Sequence, residues 1–150
     1  WSSDVCSSDL KSFVRVEAIS RRVLEEGFEW KWTSTAEYLT TLGARLGINV
    51  GALIGHIAVR HYVMGEAAVE REATADEVVQ MRALVRQGME AGALGFSTNQ
   101  NPRHIREDLK PVASRLASDA ELGALLDVLG EMNAGVVQLS GGASDALTSA

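Results

Sequence analysis

The chain has 150 residues, 46% of them hydrophobic, a formal net charge of −6 and a pI near 5.0. That is enough apolar material for one cored domain, and the acidic balance without a basic patch speaks against nucleic acid or an anionic membrane as partner. No apolar run approaches the roughly 20 residues of a membrane-spanning helix, and no signal-peptide pattern opens the sequence. The expected compartment is the cytoplasm. The single cysteine, Cys6, can form no internal disulfide and has no metal-ligand spacing.

Residues 1–10, WSSDVCSSDL, fit neither a strand nor a helix pattern. They read as the in-frame translation of a common sequencing-library adapter, which predicts a non-native tail followed by native sequence over 11–150. From Lys11 to Glu26 the apolar residues Phe13, Val16, Ile19, Val23 and Leu24 recur at helical spacing, with Gly27 as a stop. Phe28, Trp30 and Trp32 then alternate with Glu29 and Lys31, which predicts an extended segment packed on an apolar surface. Ser34 or Thr35 can cap a helix carrying Tyr38, Leu39, Leu42 and Leu46 and ending near Gly47.

The centre of the chain reads as one βαβ unit. An apolar run, Val50-Gly51-Ala52-Leu53-Ile54, ends in Gly55-His56, and a second, Ala93-Leu94-Gly95-Phe96, ends in Ser97-Thr98. Between them a Thr74-Ala75-Asp76-Glu77 capping box opens a helix that buries Val78, Met81, Val85 and Met89 and stops at Gly92. Two strands joined by a helix of this length pair in parallel, because a hairpin needs only a few connecting residues. A second box, Ser118-Asp119-Ala120-Glu121, opens a helix with Leu122, Leu125, Leu126 and Leu129 inward, and Gly135 to Ser140 supplies a third strand. All three strands are near-continuous apolar runs, which predicts parallel strands covered on both faces. Their spacing suits part of a (β/α)8 TIM-type barrel, about three parallel strands with flanking helices, with a small open doubly wound sheet as the alternative. The last residues form no clear terminal element, and truncation at both ends is expected.

Parallel strands place their chemistry at the carboxyl edge. His56 and Ser97 are therefore the candidate catalytic residues, and Arg60, Thr98, His104 and Arg106 the candidate substrate-binding ones. The loop Asn99 to Asp108 is too long for a plain connector, and such loops carry function or are disordered. A lone histidine is more often a hydrogen-bonded structural residue than a ligand, and Ser97 lacks the second glycine of a nucleophile elbow. No phosphate loop, dinucleotide fingerprint or His-Glu-x-x-His motif is present.

The segments NVGALIGHIAVRHYVMG (49–65), REATADE (71–77) with Met81, and EAGALGFST (90–98) together resemble the N-acyl-D-amino-acid deacylase (D-aminoacylase) group of the amidohydrolase superfamily. The similarity extends from Lys11 to about Gly142. It implies a metal-dependent barrel that hydrolyses the C–N bond of an N-acyl amino acid through a metal-activated water, with zinc or another divalent metal. It places this chain at barrel strands three to five, so that the His-x-His of strand one, the cysteine of strand two, the histidine of strand six and the aspartate of strand eight lie outside it. The remainder of the barrel would be missing and the fragment inert, with no metal site of its own. The sequence departs from that pattern at strand five, where Val137-Gln138-Leu139-Ser140 stands in place of a metal-binding histidine and Ser140 is a poor zinc ligand. A reading from another class is a stand-alone α/β module that binds a ligand at the His56, Ser97 and Ser140 edge without catalysis.

If residues 1–10 are foreign, their deletion should change the unfolding free energy by less than about 0.5 kcal/mol. Denaturant titration of the full and shortened chains measures this, and a larger loss means that the segment docks on the core.

Overall fold

The structure is a computed structural model that describes residues 11–12, 14–27, 32–43 and 46–141. The 1–10 segment and the aromatic residues Phe28 and Trp30 lie outside the described residues. The elements in chain order are helix α1 (Arg21–Gly27), helix α2 (Thr35–Gly43), strand β1 (Leu53–Gly55), helix α3 (His56–Met64), helix α4 (Ala75–Glu90), strand β2 (Gly95–Asn99), helix α5 (Asp119–Met132) and strand β3 (Val136–Ser140). Short 3-10 turns at Gly65–Val69 and Ala113–Leu116 join them.

The three strands form one sheet in the order β1-β2-β3, and both pairings are parallel. Leu53 pairs with Gly95 and Gly55 with Ser97, while Gly95 pairs with Val136 and Asn99 with Ser140. Because side chains alternate across a strand, this register sorts the sheet into two faces. One carries Ile54, Phe96 and Thr98. Ile54 and Phe96 are buried at 4% and 0% exposure against Met81 and Val85 of α4 and Leu122 and Leu125 of α5, the centre of the core. The opposite face carries Gly55, Ser97, Asn99, Gln138 and Ser140 toward its carboxyl end.

Helix α4 begins as its sequence dictates. The Thr74 side chain accepts from the Glu77 N–H at 3.3 Å and the Glu77 carboxylate accepts from the Thr74 N–H at 2.7 Å, closing the capping box. Arg71 donates to both Glu77 carboxylate oxygens at 2.8 Å, and this pairing, with the Thr74 N–H, holds the Glu77 carboxyl down at about 2. Helix α5 ends on Asn133 in the left-handed conformation, φ 48, a residue type that tolerates it.

Two expectations are corrected. The first helix does not run unbroken from Lys11 to Glu26: the chain leaves the helix at Glu17–Ser20, with Ala18 at φ 54, and restarts as α1. Ser20 provides the restart, its carbonyl accepting from the N–H groups of Val23 and Leu24. Nor are all strands covered on both faces. Val136 and Val137 of β3, which point to opposite faces, are 59% and 45% exposed, because β3 packs against β2 and among the described residues no helix lies closely over it.

The β2–β3 pairing depends on Gly95. A Cβ there would run into the Val136 carbonyl oxygen, and φ 156 adds to the strain. Gly95→Ala should therefore lower stability by about 1–3 kcal/mol, the usual cost of overpacking, measured by thermal or denaturant unfolding. A neutral effect would show that β3 can move away freely.

Candidate functional site

The carboxyl end of the sheet holds two polar constellations on opposite sides. On the helix-covered side, His56 at the first turn of α3 meets Thr98 of β2 and Glu121 of α5. His56 Nε2 lies 2.9 Å from a Glu121 oxygen and Nδ1 lies 2.9 Å from the Thr98 hydroxyl. The second Glu121 oxygen accepts from Arg60, one turn along α3, and Arg60 also donates to the Arg71 carbonyl at 2.9 Å and the Ala68 carbonyl at 3.3 Å. His56 and Arg60 are fully buried and Glu121 and Thr98 nearly so.

The partners decide the protonation of this cluster. Glu121 accepts only, so the His56 proton sits on Nε2, and Nδ1 accepts from the Thr98 hydroxyl. Burial pushes the His56 imidazolium below its ordinary value of 6.5, outweighing the attraction of Glu121, and the Arg60 charge pushes the same way. Burial alone would raise the Glu121 carboxyl, but hydrogen bonds from His56 and Arg60, with the Arg60 charge, more than offset it and hold it low. The cluster is thus a neutral imidazole beside a carboxylate–guanidinium pair.

Glu121 is the residue that sequence reasoning missed. The Ser118-Asp119-Ala120-Glu121 box predicts that its carboxylate returns to the helix cap. Only half of that box forms: Ser118 accepts from the Glu121 N–H at 3.2 Å, while the carboxylate goes to His56 and Arg60. The signal available was a GH-x-x-x-R segment, which sets an imidazole and a guanidinium one turn apart and calls for a buried acid.

On the opposite face, Ser97 with Gln138 and Asn99 with Ser140 are register partners, two adjacent polar pairs at the carboxyl ends of β2 and β3. They line a cavity of about 360 Å³ bordered also by His56, Thr98 and His104. A larger cavity of about 680 Å³ lies elsewhere, between α2 and the β1–α3–α4 unit, and is apolar, with Trp32, Tyr38, Val59 and Leu84 in its wall. Trp32 packs there against Tyr38 at 5.1 Å between ring centroids.

The loop after β2 is ordered by its own polar groups. The Asn99 side-chain oxygen accepts from the Asn101 N–H at 3.0 Å, which turns the Asn99 amide nitrogen toward His104 Nδ1 at 2.6 Å. Ile105 bridges to Pro111, and Arg106 donates its backbone N–H to Lys110 at 2.7 Å. Of the six sequence candidates, His56, Ser97, Thr98 and His104 border the rim cavity and Arg60 and Arg106 do not. The Arg60 guanidinium is engaged by Glu121. Arg106, a candidate substrate-binding residue, is fully buried and folds back on Asp108 at 2.9 Å and Glu66 at 3.4 Å.

The resemblance implies a divalent metal, and the residues present do not fit one by themselves. Among the described residues no group of three or more His, Cys, Asp or Glu is placed to hold an ion. Both His56 nitrogens are engaged. His104 has an amide donor behind its Nδ1, where a metal-bound histidine has an acceptor for its second ring N–H. Ser140 and Gln138 complete the rim with groups that bind zinc weakly.

The pH dependence of stability follows from these groups. His56, and His61, which burial also pushes down, have folded values below the unfolded 6.5, so they stabilise the fold fully above about pH 6.5 and that contribution is lost as pH falls through the folded values. Glu121 and Glu77, depressed below 4.5, add a loss at still lower pH. Unfolding free energy should therefore fall from pH 7 to pH 5. His56→Gln, which has no titrating ring, should flatten that decline, and an equally steep one would assign it elsewhere.

Comparison with known proteins adds what the geometry alone does not give. The chain is 35% identical over 77 residues to the D-aminoacylase of Alcaligenes xylosoxydans xylosoxydans, a match covering 51% of this chain and 16% of that protein. It is 35% identical over 91 residues to an uncharacterised protein of Mycobacterium tuberculosis, covering 57% of this chain and 15% of that one. Among solved structures, the N-acyl-D-glutamate deacylase of Bordetella bronchiseptica, complexed with zinc and a phosphonate inhibitor, superposes with a TM-score of 0.57 at 29% identity over 71% of this chain and 20% of its own. A D-aminoacylase variant in complex with copper chloride gives 0.55 at 30% identity over 69% and 20%. The chain thus spans about a fifth or less of the proteins it matches, and its three parallel strands with their helices are part of the TIM-type barrel of those neighbours. The model of the amidohydrolase family matches residues 17–148, and the chain belongs to that family.

Proposed function

We propose that this chain is one segment of a longer hydrolase that cleaves the linear C–N bond of an N-acyl amino acid, and that the segment supplies a wall of the substrate site. One observation carries this: the register-matched pairs Ser97–Gln138 and Asn99–Ser140 face a single cavity at the carboxyl ends of parallel strands, the edge where barrels of this type build their sites. The similarity to a D-aminoacylase and to an N-acyl-D-glutamate deacylase supports the substrate class.

In this reading Ser97 contacts the substrate, its hydroxyl and the Gln138 amide offering hydrogen bonds to the acyl or carboxylate oxygens, and His104 closes the site from the loop above. His56 and Thr98 act from behind the strand ends rather than on the reacting bond, and Arg60 and Arg106 hold buried structure together. A divalent metal, as in the copper and zinc complexes of the neighbours, would take its ligands from outside this segment. When bound, such a metal polarises a carbonyl and makes water a stronger nucleophile. The residues present here bind and orient the substrate.

The test is hydrolysis of paired N-acyl-D- and N-acyl-L-amino acids by the longer protein. Ser97→Ala should lower kcat/KM about tenfold to a hundredfold, the size of one hydrogen bond lost in a desolvated site, with little change in unfolding free energy. No hydrolysis of either series by the unaltered protein would sink the proposal, and an undiminished Ser97→Ala would remove Ser97 from the wall.

A further inference from the structure

The incomplete capping box of α5 points to a role for Glu121. Three sequences of the same kind open helices here, Ser34-Thr35-Ala36-Glu37, Thr74-Ala75-Asp76-Glu77 and Ser118-Asp119-Ala120-Glu121; the Glu37 and Glu77 carboxylates both stay at their helix starts, accepting from the Thr33 and Thr74 N–H groups, and that of Glu121 does not. A glutamate at this position normally caps its helix. Glu121 leaves the Ser118 N–H without its carboxylate and enters a buried cluster, a local rule broken in favour of a tertiary contact, the pattern expected at working sites.

We propose that Glu121 is a positioning residue: through His56 it fixes the direction of the Thr98 hydroxyl, and so holds the end of β2 from which Ser97 and Asn99 project into the rim cavity. The proposal rests on the hydrolase reading above and adds to it the group that keeps its substrate wall in place.

The chain of hydrogen bonds runs one way. Arg60 donates to one Glu121 oxygen and His56 Nε2–H to the other, at 2.9 Å. That leaves the Nδ1 lone pair toward β2, where the Thr98 hydroxyl must donate to it, also at 2.9 Å. Thr98 lies between Ser97 and Asn99 with its side chain on the other face. Anchoring it therefore sets the backbone that aims its two neighbours at the cavity. Phe96, two residues back on the same face, packs its ring 5.3 Å from the His56 ring and fixes the imidazole plane. A substrate wall displaced by a fraction of an ångström loses the alignment on which the rate depends.

Two measurements decide it. In this chain, NMR of the His56 ring nitrogens, about one pH unit above the ordinary imidazole value, should show a proton on Nε2 and a hydrogen-bonded Nδ1 acceptor. Thr98→Val should shift Nδ1 to an unbonded position and leave the proton on Nε2. A wild-type proton on Nδ1, or an Nδ1 signal unmoved by Thr98→Val, overturns the relay. In the longer protein, Thr98→Val and Glu121→Gln should each lower kcat by about tenfold or more with KM changed less than about twofold, and Thr98→Ser should recover most of the loss. Lower thermal stability with kcat unchanged would make the cluster a structural brace and overturn the proposal. Glu121→Gln leaves Arg60 short of a partner; should it fail to fold, Thr98→Val and Thr98→Ser decide between relay and brace on their own. If the unaltered longer protein hydrolyses no N-acyl amino acid, the hydrolase reading falls, while the NMR result still decides whether the relay exists.

Discussion

The carboxylate of Glu121, shared between His56 and Arg60, is the constraint on which this structure turns. A buried guanidinium needs a matched acid, since burying either charge alone is far more costly than burying the pair. Arg60 obtains that acid from α5, sixty-one residues along the chain, and directs its other amino group, Nη2, to the Ala68 and Arg71 carbonyls. The same carboxylate orients His56, and His56 takes hold of Thr98. One acid therefore joins α3, the turn after it, the approach to α4, the end of β2 and the start of α5. These elements could not shift relative to one another without exposing or orphaning a charge.

Around that polar knot the apolar packing is ordinary. Met81, Val85 and Met89 of α4, with Leu122, Leu125 and Leu129 of α5, cover the Ile54 and Phe96 face of the sheet. Each residue buries apolar surface without setting a unique geometry. The directional work falls to the hydrogen bonds, which explains why the polar cluster sits where three elements converge rather than at the periphery. Arg106 plays a smaller version of the same part. Folded onto Asp108 and Glu66, it ties the loop after β2 to the turn after α3.

The sheet separates this support from the rim cavity. Along β2 the side chains alternate, Ser97 and Asn99 to the rim cavity and Phe96 and Thr98 to the helices. A (β/α) barrel gains from that arrangement because its site residues can vary on one face while the other holds a packed core. His56 stands at the end of β1, where the two sides meet. Its place at the head of α3 turns it toward α5, and both of its nitrogens are engaged.

Much of this was legible in the residues. The apolar runs ending at Ile54, Phe96 and Leu139 and the helix between them sufficed for parallel strands, since chain connectivity and hydrophobic period are local properties that a sequence carries openly. The Thr74 cap and the inward set Met81, Val85 and Met89 followed for the same reason, and the GH-x-x-x-R, REAT and GFST segments carried the family. Residues distant in sequence were decided only by the tertiary structure. Which way the Glu121 carboxylate turns depends on a buried cation sixty-one residues earlier, and no local rule reports that Arg60 waits there. The helix break at Ala18, the folding of Arg106 into its own loop and the exposure of Val136 likewise depend on neighbours that sequence spacing does not specify. Local pattern chose the elements and their order, and long-range charge pairing and strand register chose which polar side chains face the cavity and which lock the frame behind it.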